Sequence, residues 1–330
     1  MSILAASPDA IAKAAALIAG GGLVAFPTET VYGLGADARN GKAVARIFEA
    51  KGRPSFNPLI SHVLNADHAG EFGVFDGRGR ELAEAFWPGP LTLLLPRRAD
   101  CPASELVSAG LLSIALRAPA HPVAQALIKS SGAAIAAPSA NKSGEVSPTT
   151  PAHVADSLGT SVDMILADGA CAVGLESTVL DLTREAPVIV RAGAITVEDI
   201  AAVTGQAVTY DLGNKDKPSS PGQLLRHYAP RIPVRMNAID LDPGEALLAF
   251  GSDKFMGVRG GGAASSLPEH SRMNLSEGRD LHEAAANLFR MLRALDAPTH
   301  KGIAVMAIPE TGIGIAMNDR LRRAVAGSKV

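Results

Sequence analysis

The sequence predicts an α/β protein of two domains, and three observations lead to this prediction. The chain has 330 residues, which is more than one compact core usually holds. Hydrophobic residues make up 47% of it and charged residues 19%, a composition that supports buried cores and excludes global disorder. Short apolar runs alternate with helical patterns along the first part of the chain, which is typical of a largely buried sheet covered by helices.

Capping residues mark the first helices. The segment SPDAIAKAAALIAGGG offers Ser7 as a helix cap and Pro8 in the first turn, and its glycines end the helix. LVAF at 23–26 is then predicted to be a short buried strand. A second helix follows Asn40, the predicted cap of NGKAVARIFEAKGRP, with apolar residues along one face.

The alternation continues through most of the first domain and resumes after a polar stretch. Further helices are predicted at 79–87, 121–131, 150–158 and 196–203. Further strands are predicted at 58–63, 91–95, 112–117, 133–137, 163–167, 177–182 and 187–191. TYDLGNKDKPSSPGQ at 209–223 predicts a linker. A second, smaller α/β domain is predicted from strands at 232–236, 245–250 and 302–308 and helices at 280–295 and 317–326.

Charge, cysteine content and hydropathy restrict the class of protein. The net charge is −2, so binding of phosphate or nucleic acid would depend on local patches. Cys101 and Cys171 form no CxxC pair, which disfavours a disulfide scaffold or a zinc site and fits a reducing compartment. The apolar stretch at 14–26 is interrupted by glycines and is too short to span a bilayer. We therefore expect a cytoplasmic protein with no membrane partner.

Four polar clusters follow predicted strands or helices, and the usual phosphate-binding and hydrolase motifs are absent from the sequence. The clusters are FPTETVYGLGADA at 26–38, KGRPSFNPLISH at 51–62, LLSIALRAPAHP at 111–122 and AAPSANKSGEVSPTT at 136–150. Polar groups that follow several strand ends build the binding crevice of open α/β sheets. The clusters together therefore predict one site that binds anions.

Each residue also has a structural interpretation, which the spacing alone leaves open. Lys51 and Arg53 could instead stabilise the negative end of the helix dipole at a helix C-terminus. His62 could be a core histidine with satisfied hydrogen bonds. Glu176 and Asp181 could be surface charges, and loops rich in serine, asparagine and glycine are more often turns than binding sites.

Seven motifs occur in an order that resembles the YrdC family, in its long, two-domain form. The motifs are FPTETVYGLG, KGRPSFNPL, PGPLTLLL, SIALRAP, PSANKSGEVSPT, ESTVLDL and SPGQLLRHYAP. The resemblance implies a YrdC-like domain at 1–206, with a twisted mixed sheet and a concave cleft. It implies a linker strap over the active site at 207–231 and a Rossmann-like three-layer α/β domain at 232–330.

The resemblance also implies an activity. The family joins L-threonine, bicarbonate and ATP into threonylcarbamoyl-AMP and pyrophosphate, with Mg²⁺ accompanying the ATP. The product serves threonylcarbamoyladenosine modification of tRNA beside the anticodon, which a separate transferase complex completes. We accordingly expect ATP, L-threonine, bicarbonate and that complex as partners.

Site residues carry over from the motifs as implied roles, with no metal ligand among them. L-Threonine is expected to contact Thr30, His62, Arg117, Ser139 and Ser177. ATP is expected to contact Arg53, Asn57, Ser113, Asn141, Thr149, Arg191 and Tyr228. Catalysis is assigned to Lys51 and Arg53, which would offset repulsion among the crowded anions.

The sequence departs from the family pattern at three positions, and two other functions stay open. Ala192 stands where the family usually has proline, and Gln223 and Leu224 replace methionine and a polar or basic residue, so a phosphate contact from position 224 is in doubt. The alternatives are a module that binds double-stranded RNA and carbamoyl-adenylate chemistry on another acceptor. Weak RNA binding alongside the enzyme activity also stays open. Few aromatic residues and a net charge of −2 disfavour the RNA module.

Overall fold

The computed structural model describes residues 1–213, 227–254 and 256–328, and the chain divides into two compact units. The first unit comprises Met1–Ser143, Ser147–Ala172 and Glu176–Leu224. The second unit comprises Gly144–Val146, Val173–Leu175 and Leu225–Val330. Two tripeptides from the middle of the chain therefore belong to the second unit. Residues 214–223 of the predicted linker and most of the motif SPGQLLRHYAP lie outside the described residues, whereas Thr209–Tyr210, at the start of that predicted linker, form a short strand.

The first unit alternates strands and helices. Its strands are β1 (Ser2–Ala5), β2 (Val24–Phe26), β3 (Gly33–Asp37), β4 (Ile60–His62), β5 (Leu91–Pro96), β6 (Ser113–Arg117), β7 (Ile135–Ala136), β8 (Met164–Ala167), β9 (Thr178–Asp181), β10 (Val188–Arg191) and β11 (Thr209–Tyr210). Its helices are α1 (Pro8–Ala19), α2 (Gly41–Lys51), α3 (Ala66–Ala69), α4 (Gly77–Phe86), α5 (Glu105–Ser108), α6 (Pro122–Ser131), α7 (Pro151–Leu158) and α8 (Val197–Thr204).

These strands form one 11-stranded sheet in the order β1-β8-β2-β3-β7-β4-β6-β5-β9-β10-β11. The pairs β4·β6 and β5·β9 are parallel, whereas β5·β6 and β9·β10 are antiparallel. The predicted mixed sheet is thereby confirmed. Because of these directions, the C-terminal ends of β4, β6 and β10 lie at the same edge as the N-terminal ends of β5 and β9.

Helices cover both faces of this sheet. Ala14 and Ile18 of α1 and Leu127 of α6 share a cluster with strand residues Phe26 and Ile135. A larger cluster on the other face includes residues of α2, α4, α5 and α8. A third, small cluster lies across β4, β5, β6, β9 and β10 and consists of Ile60, Leu94, Ala115, Val179, Val188 and Val190.

The predicted helix boundaries follow from capping. Ser7 accepts a hydrogen bond from the N–H of Ala10, and Asn40 accepts from the N–H groups at the start of α2. Gly52 ends α2 with φ 60°, a left-handed conformation that glycine adopts without strain. The helix caps predicted at Ser7 and Asn40 are confirmed.

The second unit contains a parallel sheet with two long helices. Its elements are β12 (Val234–Arg235), β13 (Asp240–Leu241), β14 (Glu245–Ala249), β15 (Gly257–Val258), β16 (Arg272–Asn274), α9 (Leu281–Leu295), β17 (Gly302–Val305) and α10 (Ile313–Gly327). Four strands pair in the order β12-β17-β14-β16, all in parallel, and β13 pairs with β15. This agrees with the expected α/β class.

Sequence reasoning missed the short helices α3 and α5 and the strands β1, β3, β11, β13, β15 and β16, and it started α10 four residues late. Strand β3 has the sequence GLGAD, and glycine lowers strand propensity. A Cβ at Gly35 would lie 2.7 Å from side-chain atoms of both Phe26 and Ile135, so close packing excludes a larger residue there. The pattern therefore suggested a loop where packing produces a strand.

Candidate active site

Four of the predicted site residues meet at one edge of the large sheet. His62 ends β4 and pairs in register with Arg117, which ends β6. Ser177 immediately precedes β9, and Arg191 ends β10. Because these strands are neighbours, the four side chains collect at the same edge, and we call them the edge cluster.

Side-chain alternation along the strands explains why polar side chains at their ends lie next to the small apolar cluster. Ala115 belongs to the small apolar cluster, and Arg117 follows it on the same face of β6 because residues two apart share a face. Ser113 shares that face for the same reason. On β4, Ile60 belongs to the small cluster and His62 follows it. The predicted ligand groups therefore follow apolar residues that anchor their strands.

Arg117 is the most constrained cation of the edge cluster. Its side chain is only 3% exposed, and its Nη2 lies 2.6 Å from Oε1 of Glu29. Nε donates to the carbonyl of Gly89 at 3.1 Å, and Nη1 donates to Oγ1 of Thr30 at 2.9 Å. A guanidinium has five N–H groups. One N–H on each terminal nitrogen therefore has no acceptor among the described residues, which is the number a carboxylate can use.

Glu29 forms the ion pair that holds Arg117. Sequence reasoning did not include Glu29 among the site residues. Its second oxygen, Oε2, accepts a hydrogen bond from the N–H of Ala120 at 3.0 Å. Burial raises the pKa of the Glu29 carboxyl, but the charge and hydrogen bond of Arg117 outweigh that effect, and the net pKa is lowered. Glu29 is therefore a carboxylate at neutral pH. The glutamate of FPTETVYGLG was visible in the sequence, but its partner lies 88 positions away.

His62 is neutral in this environment. Burial and then the charge of Arg117 lower the pKa of His62 to about 3. Its Nδ1 lies 3.3 Å from the carbonyl oxygen of Ile135, so Nδ1 carries the proton and donates it. Nε2 is then an acceptor. A ring with so low a pKa is a weak base at neutral pH, which disfavours His62 as the general base.

Ser177 is held by two neighbouring side chains. Arg191 donates from Nε to the backbone carbonyl of Ser177 and from Nη2 to its Oγ, both at 2.9 Å. Oγ of Ser177 lies 2.7 Å from Oγ1 of Thr92, which is buried on β5. Arg191, predicted to contact ATP, thus also fixes a residue predicted to contact threonine.

Lys51 joins the end of α2 to the loop at 139–143. Its Nζ donates to the carbonyl of Ser139 at 2.6 Å and to that of Asn141 at 2.5 Å. In return, Nζ of Lys142 donates to the carbonyl of Ala50 at 2.7 Å, and the N–H of Ser143 donates to that of Lys51. We call this reciprocal arrangement the lysine clasp. It satisfies carbonyls that a helix end leaves without intrahelical partners.

Arg53 and Asn57 stabilise the rigid connector after α2. Nε of Arg53 donates to the carbonyl of Asn57 at 3.2 Å, and Nη2 donates to that of Pro58 at 2.9 Å. The side chain of Asn57 is buried, and neither of its amide atoms has a hydrogen-bond partner among the described residues. A buried amide without a partner is costly, so a ligand that uses both atoms would gain affinity there.

The loop after β7 carries three further predicted residues. The backbone of Ser139 bridges to Gly33, and Nδ2 of Asn141 donates to the carbonyl of Lys142. Oγ1 of Thr149 lies 3.4 Å from Nδ1 of His153. These contacts order the loop, and the predicted ligand roles of Ser139, Asn141 and Thr149 stay predictions.

Two acidic residues that could have been surface charges are buried instead. Oε1 of Glu176 lies 2.5 Å from Oγ of Ser147, and Asp181 accepts hydrogen bonds from Thr183 and Arg184. Both carboxylates are less than a tenth exposed. The interpretation of Glu176 and Asp181 as surface charges was wrong. It inferred exposure from charge alone, whereas hydrogen-bond and ion-pair partners offset the cost of burying these carboxylates.

Tyr228 lies in the second unit. It is 1% exposed, with φ 60°, and its ring stacks on Phe289 at 5.4 Å between centroids. The guanidinium carbon of Arg320 lies 5.2 Å from the same ring. These contacts fix Tyr228 within its unit, and its predicted contact with ATP stays a prediction.

Neither a metal cluster nor a membrane span is found in the described part of the chain. No group of three or more histidine, cysteine, aspartate or glutamate side chains could hold a metal ion among residues 1–213, 227–254 and 256–328. No helix there is long and apolar enough to cross a bilayer.

Comparison with known proteins agrees with this geometry. The sequence profile of the Sua5/YciO/YrdC family, described as telomere recombination, matches residues 16–193. The profile described as threonylcarbamoyl-AMP synthase, C-terminal domain, matches residues 195–326. These two matches, one over the mixed α/β sheet and one over the C-terminal part of the chain, define the two-domain Sua5 class of proteins.

Curated relatives that align with nearly the whole chain identify the family within this class. Threonylcarbamoyl-AMP synthase of Bacillus subtilis is 42% identical over 98% of this chain and 95% of its own length. The Pyrococcus abyssi enzyme of that name is 40% identical over 94% and 92%. The crystal structure of P. abyssi Sua5 complexed with L-threonine superposes with a TM-score of 0.86 at 36% identity, covering 99% of this chain and 97% of that one. The chain belongs to the threonylcarbamoyl-AMP synthase family.

Proposed function

We propose that this chain joins L-threonine, bicarbonate and ATP to form L-threonylcarbamoyl-AMP and pyrophosphate. The observation that carries the proposal is Arg117, a buried guanidinium held by Glu29 and Thr30 with one N–H on each terminal nitrogen left for a ligand. Such a fork suits the two oxygens of an amino-acid carboxylate. The names of the relatives, and the threonine complex of P. abyssi Sua5, support threonine as that amino acid.

The reaction has two steps whose atoms balance. The neutral amine of threonine attacks the carbon of bicarbonate, and water leaves as the carbamate forms. A carbamate oxygen then attacks the α-phosphorus of ATP, and the bond to the β-phosphate breaks to release pyrophosphate. Both steps bring anions together, so positive charge held in place lowers the barrier.

The chain's cations fit this requirement. Lys51 and Arg53 are both buried and fixed by backbone carbonyls, so their charges do not reorganise during the reaction. Lys51 places its charge within hydrogen-bond distance of the backbone carbonyls of Ser139 and Asn141, two of the predicted ligand residues. Mg²⁺ would enter with ATP and neutralise part of the triphosphate charge. The product would pass to a tRNA threonylcarbamoyl transferase complex in the cytoplasm.

The test is release of pyrophosphate that depends on threonine. The purified chain is incubated with ATP, Mg²⁺ and labelled bicarbonate, with L-threonine present or omitted, and the nucleotide product is identified by mass spectrometry. We expect a labelled adenylate only when all three substrates are present. Arg117→Met should abolish it, and Arg39→Met, at an exposed ion pair, is the matched control. Equal turnover with another amine acceptor, or RNA retention without turnover, would contradict the proposal.

A further inference from the structure

Thr92 is a buried polar residue in an otherwise apolar strand. It lies on β5, which has the sequence LTLLLP, and its side chain is fully shielded from solvent. A hydroxyl in such surroundings is costly unless it has a hydrogen-bond partner, and its partner here is Oγ of Ser177 at 2.7 Å. The motif PGPLTLLL, to which Thr92 belongs, contributed no residue to the predicted site. The contact with Ser177 connects that motif to the edge cluster.

Strand β5 lies between the two strands that carry predicted contacts to threonine. The sheet order is β6-β5-β9, Arg117 ends β6, and Ser177 immediately precedes β9. Leu94 belongs to the small apolar cluster, so Thr92, two residues before it, points to the same face of the sheet as Arg117. Thr92 therefore stands on the face that carries the edge cluster, between Arg117 and Ser177.

The backbone that leads into β5 contacts both neighbouring strands. The carbonyl of Gly89 accepts a hydrogen bond from Nε of Arg117 at 3.1 Å. The carbonyl of Pro90 accepts from the N–H of Thr178, at the start of β9, at 3.0 Å. The segment 89–92 thus bonds to Arg117 on one side and to the start of β9 on the other, and it sets the spacing between them.

Two side chains from different strands restrain the Ser177 hydroxyl. Arg191 on β10 donates from Nη2 to Oγ at 2.9 Å, and Thr92 on β5 contacts the same oxygen. Arg191 also donates from Nε to the backbone carbonyl of Ser177, a bond that does not need the hydroxyl. Loss of the Thr92 hydroxyl would therefore remove one of the two restraints on Oγ of Ser177 while Arg191 stays in place.

We propose that Thr92 is a positioning residue for the amino-acid substrate, because it holds the Ser177 hydroxyl at a fixed place relative to the Arg117 guanidinium. The amino acid then binds to two groups that are already ordered, so less conformational entropy is lost on binding. This inference rests on the proposed function, in which Ser177 contacts threonine.

The first test removes the Thr92 hydroxyl and measures steady-state kinetics. Thr92→Val should raise KM for L-threonine about tenfold, with kcat changed less than about threefold, because the ground state and the transition state lose the same contact. KM for ATP should change less than about twofold. Thr92→Ser keeps a hydroxyl and should restore most of the native KM. A native KM for threonine in Thr92→Val, an equal rise in KM for ATP, or no recovery in Thr92→Ser would overturn the inference.

Thr178→Val is the matched control, since Thr178 is a fully buried threonine next to Ser177 that faces the other side of the sheet. Its Oγ1 donates to the carbonyl of Ile195 at 2.7 Å and accepts from the N–H of Ile195 at 3.1 Å. Its removal leaves two backbone groups without these partners, so the urea midpoint of unfolding should fall while KM for threonine stays native. Thr92→Val should show the reverse, because Ser177 retains Arg191 as a hydrogen-bond partner. Equal losses of stability in the two variants, with KM no more affected in Thr92→Val, would leave Thr92 a structural role only and refute the proposal.

A double-mutant cycle tests whether Thr92 acts through Ser177. Ser177→Ala removes the hydroxyl that Thr92 positions and should raise KM for threonine at least as much as Thr92→Val does. In the Ser177→Ala background, Thr92→Val should change KM less than about twofold further. Should Thr92→Val not fold, Thr92→Ala takes its place in the cycle. Effects that multiply in the double variant would contradict the inference, whereas a native chain that neither binds threonine nor releases pyrophosphate would contradict the proposed function instead.

Discussion

At the scale of single residues, Arg117 and Glu29 are stable in the interior only as a pair. Replacing Arg117 by methionine leaves the Glu29 carboxylate buried without its cation, at a cost of about 3–5 kcal/mol in the free energy of unfolding. Burial alone then raises the pKa of Glu29, so this loss should grow as pH rises above about 4.5. Urea unfolding at about pH 5 and pH 8 measures the difference.

The double variant Arg117→Met/Glu29→Gln is the control for that prediction. With no buried charge left, it should regain part of the stability and lose the added pH dependence. Single and double variants of equal stability at about pH 8 would show that Glu29 is not desolvated as described.

His62 gives a second residue-scale prediction, with a defined sign. Its folded pKa, about 3, lies below the ordinary value of 6.5, so the unfolded chain binds more protons between these limits. The free energy of unfolding should therefore fall as pH drops below about 6.5, by up to about 1.4 kcal/mol per pH unit. His62→Gln should remove this contribution, so native and variant stability curves should converge as pH falls. If the free energies of unfolding of the native chain and of His62→Gln changed in parallel with pH, His62 would be more solvent-exposed than the structure shows.

At the scale of elements, the lysine clasp ties α2 to the loop at 139–143. Lys142→Met removes the donor to the carbonyl of Ala50 and should cost about 1 kcal/mol, with faster amide exchange at the end of α2. Lys51→Met should cost more, because two backbone carbonyls lose a buried donor. The matched control is Lys42→Met, on an exposed position of the same helix. Equal effects at positions 42 and 142 would argue against the clasp.

The elements also show what could be predicted from the sequence. Ser7, Asn40 and Gly52 act on neighbours a few residues away, so the bounds of α1 and α2 follow from local chemistry. The partner of Glu29 and the second half of the clasp lie about ninety residues distant, and no local pattern encodes them. The polar edge could be predicted because strands carry groups to their ends, whereas the donor and acceptor roles within it needed distances.

At the scale of the whole molecule, two tripeptides of the middle chain are parts of the second unit. The backbone of Gly144 accepts a hydrogen bond from the N–H of Ala229, and the carbonyl of Val146 accepts from Arg293. Gly174, with φ 72°, lies so close to α9 that an added Cβ would stand 2.5 Å from Cα of Ala286. The second unit is therefore assembled from three separate parts of the chain.

A chain that ends at residue 208 tests this organisation. If residues 207–231 form a strap over the active site, the shortened chain should fold with reduced activity. Because Val146 and Leu175 are buried and belong to the second unit, we also expect the shortened chain to bind a hydrophobic dye and to self-associate. Serine at both positions should suppress dye binding without restoring activity. A shortened chain that stays monomeric and binds no dye would contradict this expectation.

The glycine contact at α9 bears on how such proteins can be inherited. A gene segment that starts after residue 224 encodes neither tripeptide. Recombination at that point would therefore transfer a second unit that lacks the two tripeptides, and the surface of α9 against which Gly174 packs would be left uncovered. A recipient would need a matching small residue, without a side chain, at a site far upstream. The two halves should therefore exchange between lineages only as a set.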